Sequence, residues 1–158
     1  MLFAAGCASR DPGQVVSIDQ AEAYWAIETP LGDVQYLAPV VRLVVRNKDS
    51  RPQRSIEFTA NFRQTGQAQI WSSAWQRVTP PGGRPLQPGE TAVVTLKPEG
   101  EGRYTTTGPA EAIFQHENFK DVKAEIWARV GSTPWMKLAE REVERRIGSR
   151  AVQQAPGP

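Results

Sequence analysis

The chain has 158 residues, 39% of them hydrophobic, and a formal net charge of +2, enough for one globular core plus tails. One cysteine, Cys7, and one histidine, His116, exclude an intrachain disulfide framework, a thiolate metal site and a multi-histidine metal site. The charge is uneven: residues 1–39 hold one basic and five acidic side chains, residues 40–90 eight and three, and residues 91–158 ten and nine. The basic middle is read as facing the acidic first segment or solvent, and nucleic acid is not an expected partner because no Lys/Arg cluster has interleaved aromatics.

Leu2, Phe3, Ala4, Ala5 and Gly6 lead directly into Cys7. This run resembles the end of a bacterial lipoprotein signal peptide, in which small residues before the Cys permit cleavage and leave that Cys as a lipidated N-terminus. It departs from the pattern in having Ala4 where Leu is usual. A complete signal also needs a charged n-region and an apolar h-region of about 7–15 residues, so the true start is expected upstream of Met1. The resemblance implies a lipid anchor at Cys7 as the contact with membrane. With Ala8 rather than Asp after the Cys, it implies the outer membrane of the bacterial envelope, with the domain facing the periplasm.

Residues 1–18 are accordingly read as a signal-peptide remnant, lipidated Cys7 and polar tether, residues 19–148 as the folded domain, and residues 149–158 as a disordered tail. Within the domain, residues 21–27 alternate Ala21, Ala23, Trp25 and Ile27 with Glu22, Tyr24 and Ala26. That is a strand period, although Ala and Glu also favour helix. Thr29, Pro30, Leu31 and Gly32 make a turn, and residues 34–38 lead through Pro39 onward.

Residues 40–63 form the expected centre. Val41, Leu43 and Val45, then Ile56, Phe58, Ala60 and Phe62, fall at every second position, and read as two strands facing each other across the polar connection 47–52. Residues 68–75 carry Ile70, Trp71 and Trp75 in a strand expected to bend at Ser72 and Ser73. Residues 79–85 are too rich in Pro and Gly for a regular element. Residues 91–96 alternate cleanly as a strand.

Residues 97–107 read as a glycine-rich loop, and residues 112–114 as a short strand or a helical turn. Val122, Ala124, Ile126, Ala128 and Val130 alternate over a full strand, with a hairpin loop at 131–134. From Trp135 to Ile147 two patterns compete. Spacing of four favours a helix, whereas a hairpin partner for 122–130 requires a strand, expected to run to about Val143. The sum is an all-β protein: an immunoglobulin-like two-sheet antiparallel β-sandwich of about seven to eight strands, without the Cys–Trp–Cys pattern of antibody domains.

From Val41 through Trp75 the chain resembles the small immunoglobulin-like bacterial lipoproteins of the YcfL type. The shared order is an apolar strand (40–46), an Asn-headed turn at Asn47, a second strand (56–62), a turn at Gly66, a Trp-bearing stretch (71–75) and a later strand after Gly89. The resemblance covers about a third of the chain. It departs at Thr59, Ala60 and Asn61, where that family has a more aromatic run, and in a longer C-terminal half. It implies an envelope lipoprotein without assigned activity.

Catalytic candidates are few. A Ser–His–Asp triad would depend on His116, which lies among polar residues and reads as a surface side chain. Glu99 with Glu101, and Glu140 with Glu142 and Glu144, sit among Lys and Arg and read as a solvated face. No cofactor, metal or enzymatic activity is expected. Of five tryptophans, Trp25 and Trp127 read as core, while Trp71, Trp75 and Trp135, with Arg84 in the Pro/Gly loop, are the candidate binding residues for an envelope protein or a glycan. The expected function is a non-catalytic binding or assembly module; the competing one is a carbohydrate- or cell-wall-binding module using loop aromatics.

Overall fold

A computed structural model describes residues 10–153; Cys7, and with it the expected lipidation site, lies outside the described residues. The protein is an all-β, two-sheet antiparallel sandwich. A helical turn, α1 (Pro12–Val15), is capped by Asp11, whose carboxylate accepts from the Gly13 N–H at 2.8 Å. It delivers the chain into β1 (Val16–Leu31), which turns at Gly32 and pairs along most of its length with β2 (Val34–Asn47). Gly32 holds φ of 66°, a conformation open to glycine at little cost. β1 and α1 thus begin inside the segment expected to be tether.

The second sheet is formed by β3 (Ile56–Gln64), β4 (Ser72–Arg77), β7 (Val122–Val130) and β8 (Met136–Glu142) in the order β4-β3-β7-β8. In the first sheet, β2 is flanked on one side by β1. On the other it pairs with β5 (Thr91–Leu96) and, near its start, with β6 (Tyr104–Thr106). Short 3₁₀ turns occupy Pro81–Gly83 and Ala110–Gln115, the latter where a short strand or helical turn was expected. A last helical turn, α2 (Arg150–Gln153), falls in the segment expected to be a disordered tail.

The two central strands of the sequence reading face each other across the core without sharing a ladder. Residues 40–46 lie in β2 and residues 56–63 in β3, so they belong to opposite sheets. The cause is the connection between them. Asn47 is buried; its side-chain amide donates to Arg51 O and Leu86 O, each at 2.9 Å, and its Oδ1 accepts from Asp49 N at 2.9 Å. Those bonds hold an Asx turn that carries the chain from one sheet to the other. Inward residues of both strands, among them Leu43, Val45, Phe58 and Phe62, meet in one core.

The C-terminal ambiguity resolves as strand β8, paired with β7 with a bulge between Ile126 and Trp127. Beyond it the chain crosses back to the first sheet. Ala23 O accepts from Glu144 N at 3.0 Å, Trp25 N donates to Arg146 O at 2.9 Å, and Trp25 O accepts from Gly148 N at 2.9 Å. This strap covers the outer edge of β1. Glu22 fastens it, accepting from Arg146 at 3.1 Å, from Arg150 N at 3.2 Å and from the Ser149 hydroxyl.

At the end of the sandwich near β6 the core becomes aromatic. Trp25, with no exposed surface, stands 5.6 Å from Tyr104, 5.5 Å from Phe119, 6.4 Å from Phe114 and 6.3 Å from Trp71, centroid to centroid. Tyr104 accepts through its hydroxyl from Gln64 at 2.8 Å and from Lys120 N at 3.0 Å. Gly102 makes this packing possible: a Cβ there would lie 2.7 Å from Trp71 O and 2.3 Å from the Ser72 Cβ.

Candidate functional site

The four candidate binding residues are not gathered into one cluster. Trp71 is half-buried; its backbone N–H donates to Phe62 O at 2.7 Å and its ring packs 5.1 Å from Tyr104. It works as the lid of the aromatic core. Arg84 is held by a forked ion pair with Glu90, one arm at 2.8 Å, across the Pro/Gly loop. That hydrogen bond, with help from the Gln87 N–H, lowers the Glu90 carboxyl to about 2, and Arg84 braces the loop.

Trp75 has a different environment. It sits in β4, opposite Thr59, with 54% of its surface exposed. β4 is an edge strand, and strand alternation turns Ala74 into the core and Trp75 outward. On the same face, Thr59 is also opposite Trp127, and Trp127 is opposite Lys137. Trp127, expected in the core, therefore belongs to the outer face, because Ala124, Ile126 and Ala128 take the inward positions of β7. Two strand spacings separate Trp75 from Trp127, about 10 Å.

The neighbouring row is charged. Glu57, 3% exposed, pairs with Arg77 at 3.0 Å and with Arg129, whose guanidinium carbon lies 4.8 Å from the centroid of Trp135. The Arg129 hydrogen bond, opposed by desolvation and reinforced by Arg77, holds the Glu57 carboxyl below its ordinary range. Trp135 thus shares the outer face with Trp75 and Trp127, its ring engaged by an arginine.

Beside Trp75 the sandwich is open. An open groove of about 900 Å³ runs between β4 and the end of β5, with Ser73, Trp75 and Gln76 on one wall and Thr95, Lys97 and Pro98 on the other. The backbone of β4 faces it. The bond from Val78 N to Ile56 O at 2.9 Å sets the phase of the β3–β4 ladder. Ser72, Ala74 and Gln76 are then the residues bonded to β3, and Ser73, Trp75 and Arg77 turn their N–H and C=O groups outward. No hydrogen bond among the described residues engages the backbone of Ser73 or Trp75.

His116 lies at a second groove of about 560 Å³ with Tyr104 and Phe119. Its Nδ1 accepts from Asn118 N at 3.1 Å, a turn contact, and no Ser, Thr or carboxylate bonds to it among the described residues. Among the described residues no group of three His, Cys, Asp or Glu side chains is placed to hold a metal ion. No helix among the described residues is long and apolar enough to cross a membrane.

The outer face and the open edge were only partly readable in the sequence. Exposure of Trp75 follows from alternation within β4, but the free backbone row follows from strand order.

No family model matches the chain, and no curated protein matches it. Among solved structures it is similar to a protein from Archaeoglobus fulgidus known from its crystal structure, at 12% identity and a TM-score of 0.36, over 81% of this chain and 98% of that one. So distant a likeness transfers no function.

Proposed function

We propose that this chain is a non-catalytic binding module of the bacterial envelope, anchored through a lipid on Cys7 and offering the Trp75 side of its second sheet to a partner. The observation that carries the binding reading is Trp75 itself: a large aromatic ring, 54% exposed, on an edge strand at the mouth of a groove. Exposed tryptophan contributes much contact area for few rotatable bonds, which is why it dominates recognition surfaces. The resemblance of residues 2–8 to a lipoprotein signal, and of residues 41–75 to YcfL-type lipoproteins, supports the location.

Replacing Trp75 by Ala tests the binding reading: affinity capture from an envelope extract should lose its specific partner while the fold is retained. An unchanged set of captured molecules overturns the assignment to this face. Anchoring has a separate test. Expressed behind a complete lipoprotein leader, the Cys7→Ser protein should leave the membrane fraction, and its persistence there would rule out lipidation at this position.

A second reading has its own observation. Trp75 and Trp127 stand in one row of the outer sheet face, flanked by Asn61 and Lys137, which is chemistry suited to stacking and hydrogen-bonding the sugars of a cell-wall polymer. Retention on insoluble peptidoglycan that depends on both tryptophans would favour it.

A further inference from the structure

Two features of β4 converge on a class of partner. Among the described residues the outward backbone groups of Ser73 and Trp75 and the Arg77 N–H form an unfilled ladder, the Arg77 carbonyl accepting from Gln76 and Thr79 side chains, and an open groove lies beside them. A row of alternating N–H and C=O groups is complementary to one shape of ligand, another extended polypeptide. We propose that β4 accepts an extended peptide segment of a partner protein as a fifth strand of the second sheet, and this rests on the binding-module reading above.

The molecule already completes its other side in this way. The strap at residues 144–148 lies along β1 and exchanges three backbone hydrogen bonds with Ala23 and Trp25. Among the described residues β4 and β5 have no such cover. A peptide added to β4 would direct alternate side chains into the groove, over Ala74 and Pro98, and the others outward beside Trp75. Of the charges at the groove, Lys97 and Glu99 are of opposite sign and Glu28 is paired with Arg103, so selection would come from backbone pairing and from an apolar or aromatic residue stacked on Trp75.

Size argues against a second copy of the chain as the occupant. β4 has six residues, about 20 Å of strand. Joining two domains along that edge alone falls well short of the roughly 800 Å² per partner of a stable interface. A peptide needs less, because it is covered both by the β4 ladder and by the groove walls.

The test uses a substitution that removes one outward N–H and leaves the ladder to β3 intact. Ser73→Pro does this, since proline is tolerated on an edge strand where its nitrogen faces away from the sheet; Ser73→Ala is the control that keeps the N–H. The probe is a displayed library of unstructured twelve-residue peptides selected on the immobilised protein. Enriched peptides should carry apolar residues at alternate positions and lose at least tenfold in affinity with Ser73→Pro and none with Ser73→Ala. To guard against misfolding of the proline variant, amide exchange in the unmodified protein gives a second measurement: peptide binding should slow exchange at Ser73, Trp75 and Arg77.

Peptides that bind without slowing those three amides, and equally well to Ser73→Pro, would overturn strand addition while leaving the binding module intact. An absence of any enriched peptide, together with Trp75-dependent retention on peptidoglycan, would overturn the peptide in favour of a glycan. Concentration-dependent dimers abolished by Ser73→Pro would replace the peptide with a second copy. Finding no interaction that depends on Trp75 would remove the module reading as well.

Discussion

The two long sides of this sandwich are finished in opposite ways. On one, the chain leaves β8, crosses to β1 and satisfies the backbone of Ala23 and Trp25 with its own residues 144–148, under a carboxylate, Glu22, that accepts from Arg146, Arg150 and Ser149. On the other, β4 and β5 run side by side, no bond among the described residues engages the outward backbone of Ser73 or Trp75, and Trp75 and Val93 are more than half exposed. An unprotected edge invites association, and proteins usually blunt it. One edge is closed from within the chain and the other is left bare, and the proposed binding side is the bare one.

That contrast can be broken at its strongest point first. Trp25→Ala empties the aromatic core beneath the strap, and a loss of about 3–5 kcal/mol is expected, read by denaturant unfolding. A loss below about 1 kcal/mol would mean that the strapped side does not carry the stability assigned to it.

Next in size is Glu22→Ala, expected to cost about 1–2 kcal/mol because several charge-assisted bonds are lost together. Amide exchange at Trp25, Glu144 and Gly148 should rise with it, and unchanged protection there would show that the strap holds without its fastening.

Glu57 sharpens the comparison through pH. Its folded carboxyl is lowered from the ordinary 4.5, chiefly by the Arg129 hydrogen bond. A lowered carboxylate contributes stability that is fully present above the unfolded value and is lost as pH falls through the folded one. Thermal unfolding should therefore show stability falling below about pH 4.5, with a shallower fall in Glu57→Gln. Parallel profiles for the two proteins would count against the Arg77–Glu57–Arg129 bridge as the cause.

The smallest effect on stability is expected on the open side. Trp75→Ala should shift unfolding by no more than about 0.5 kcal/mol, while abolishing binding of the proposed partner. A destabilisation comparable to that of Trp25→Ala would abolish the distinction between the two sides.

Much of the fold was legible residue by residue. The alternation in 91–96 and 122–130 matches β5 and β7 residue for residue, because a half-buried strand must place apolar side chains at every second position. The same rule holds the clue to Trp127, which shares its phase with Glu125 and Arg129 and so faces outward. β6 was hidden because three residues are too few for a period to show, and Tyr104 is recognisable as core only once Trp25 and Phe119 stand beside it.

Trp71 and Trp75 are four residues apart in similar company, yet one closes the core and the other meets solvent. The difference lies in where β4 begins and in the bond from Trp71 N to Phe62 O.

What the sequence by itself determined is the class of the fold, most of its strands and the two-faced character of each, since these depend on local periodicity and turn chemistry. Strand order was decided only in three dimensions. Glu22 meets Ser149 across 127 positions, and Asn47 sends β2 and β3 into opposite sheets. Backbone hydrogen bonds carry no side-chain signature, so which edge is filled and which is left free depends on the packing of the whole chain.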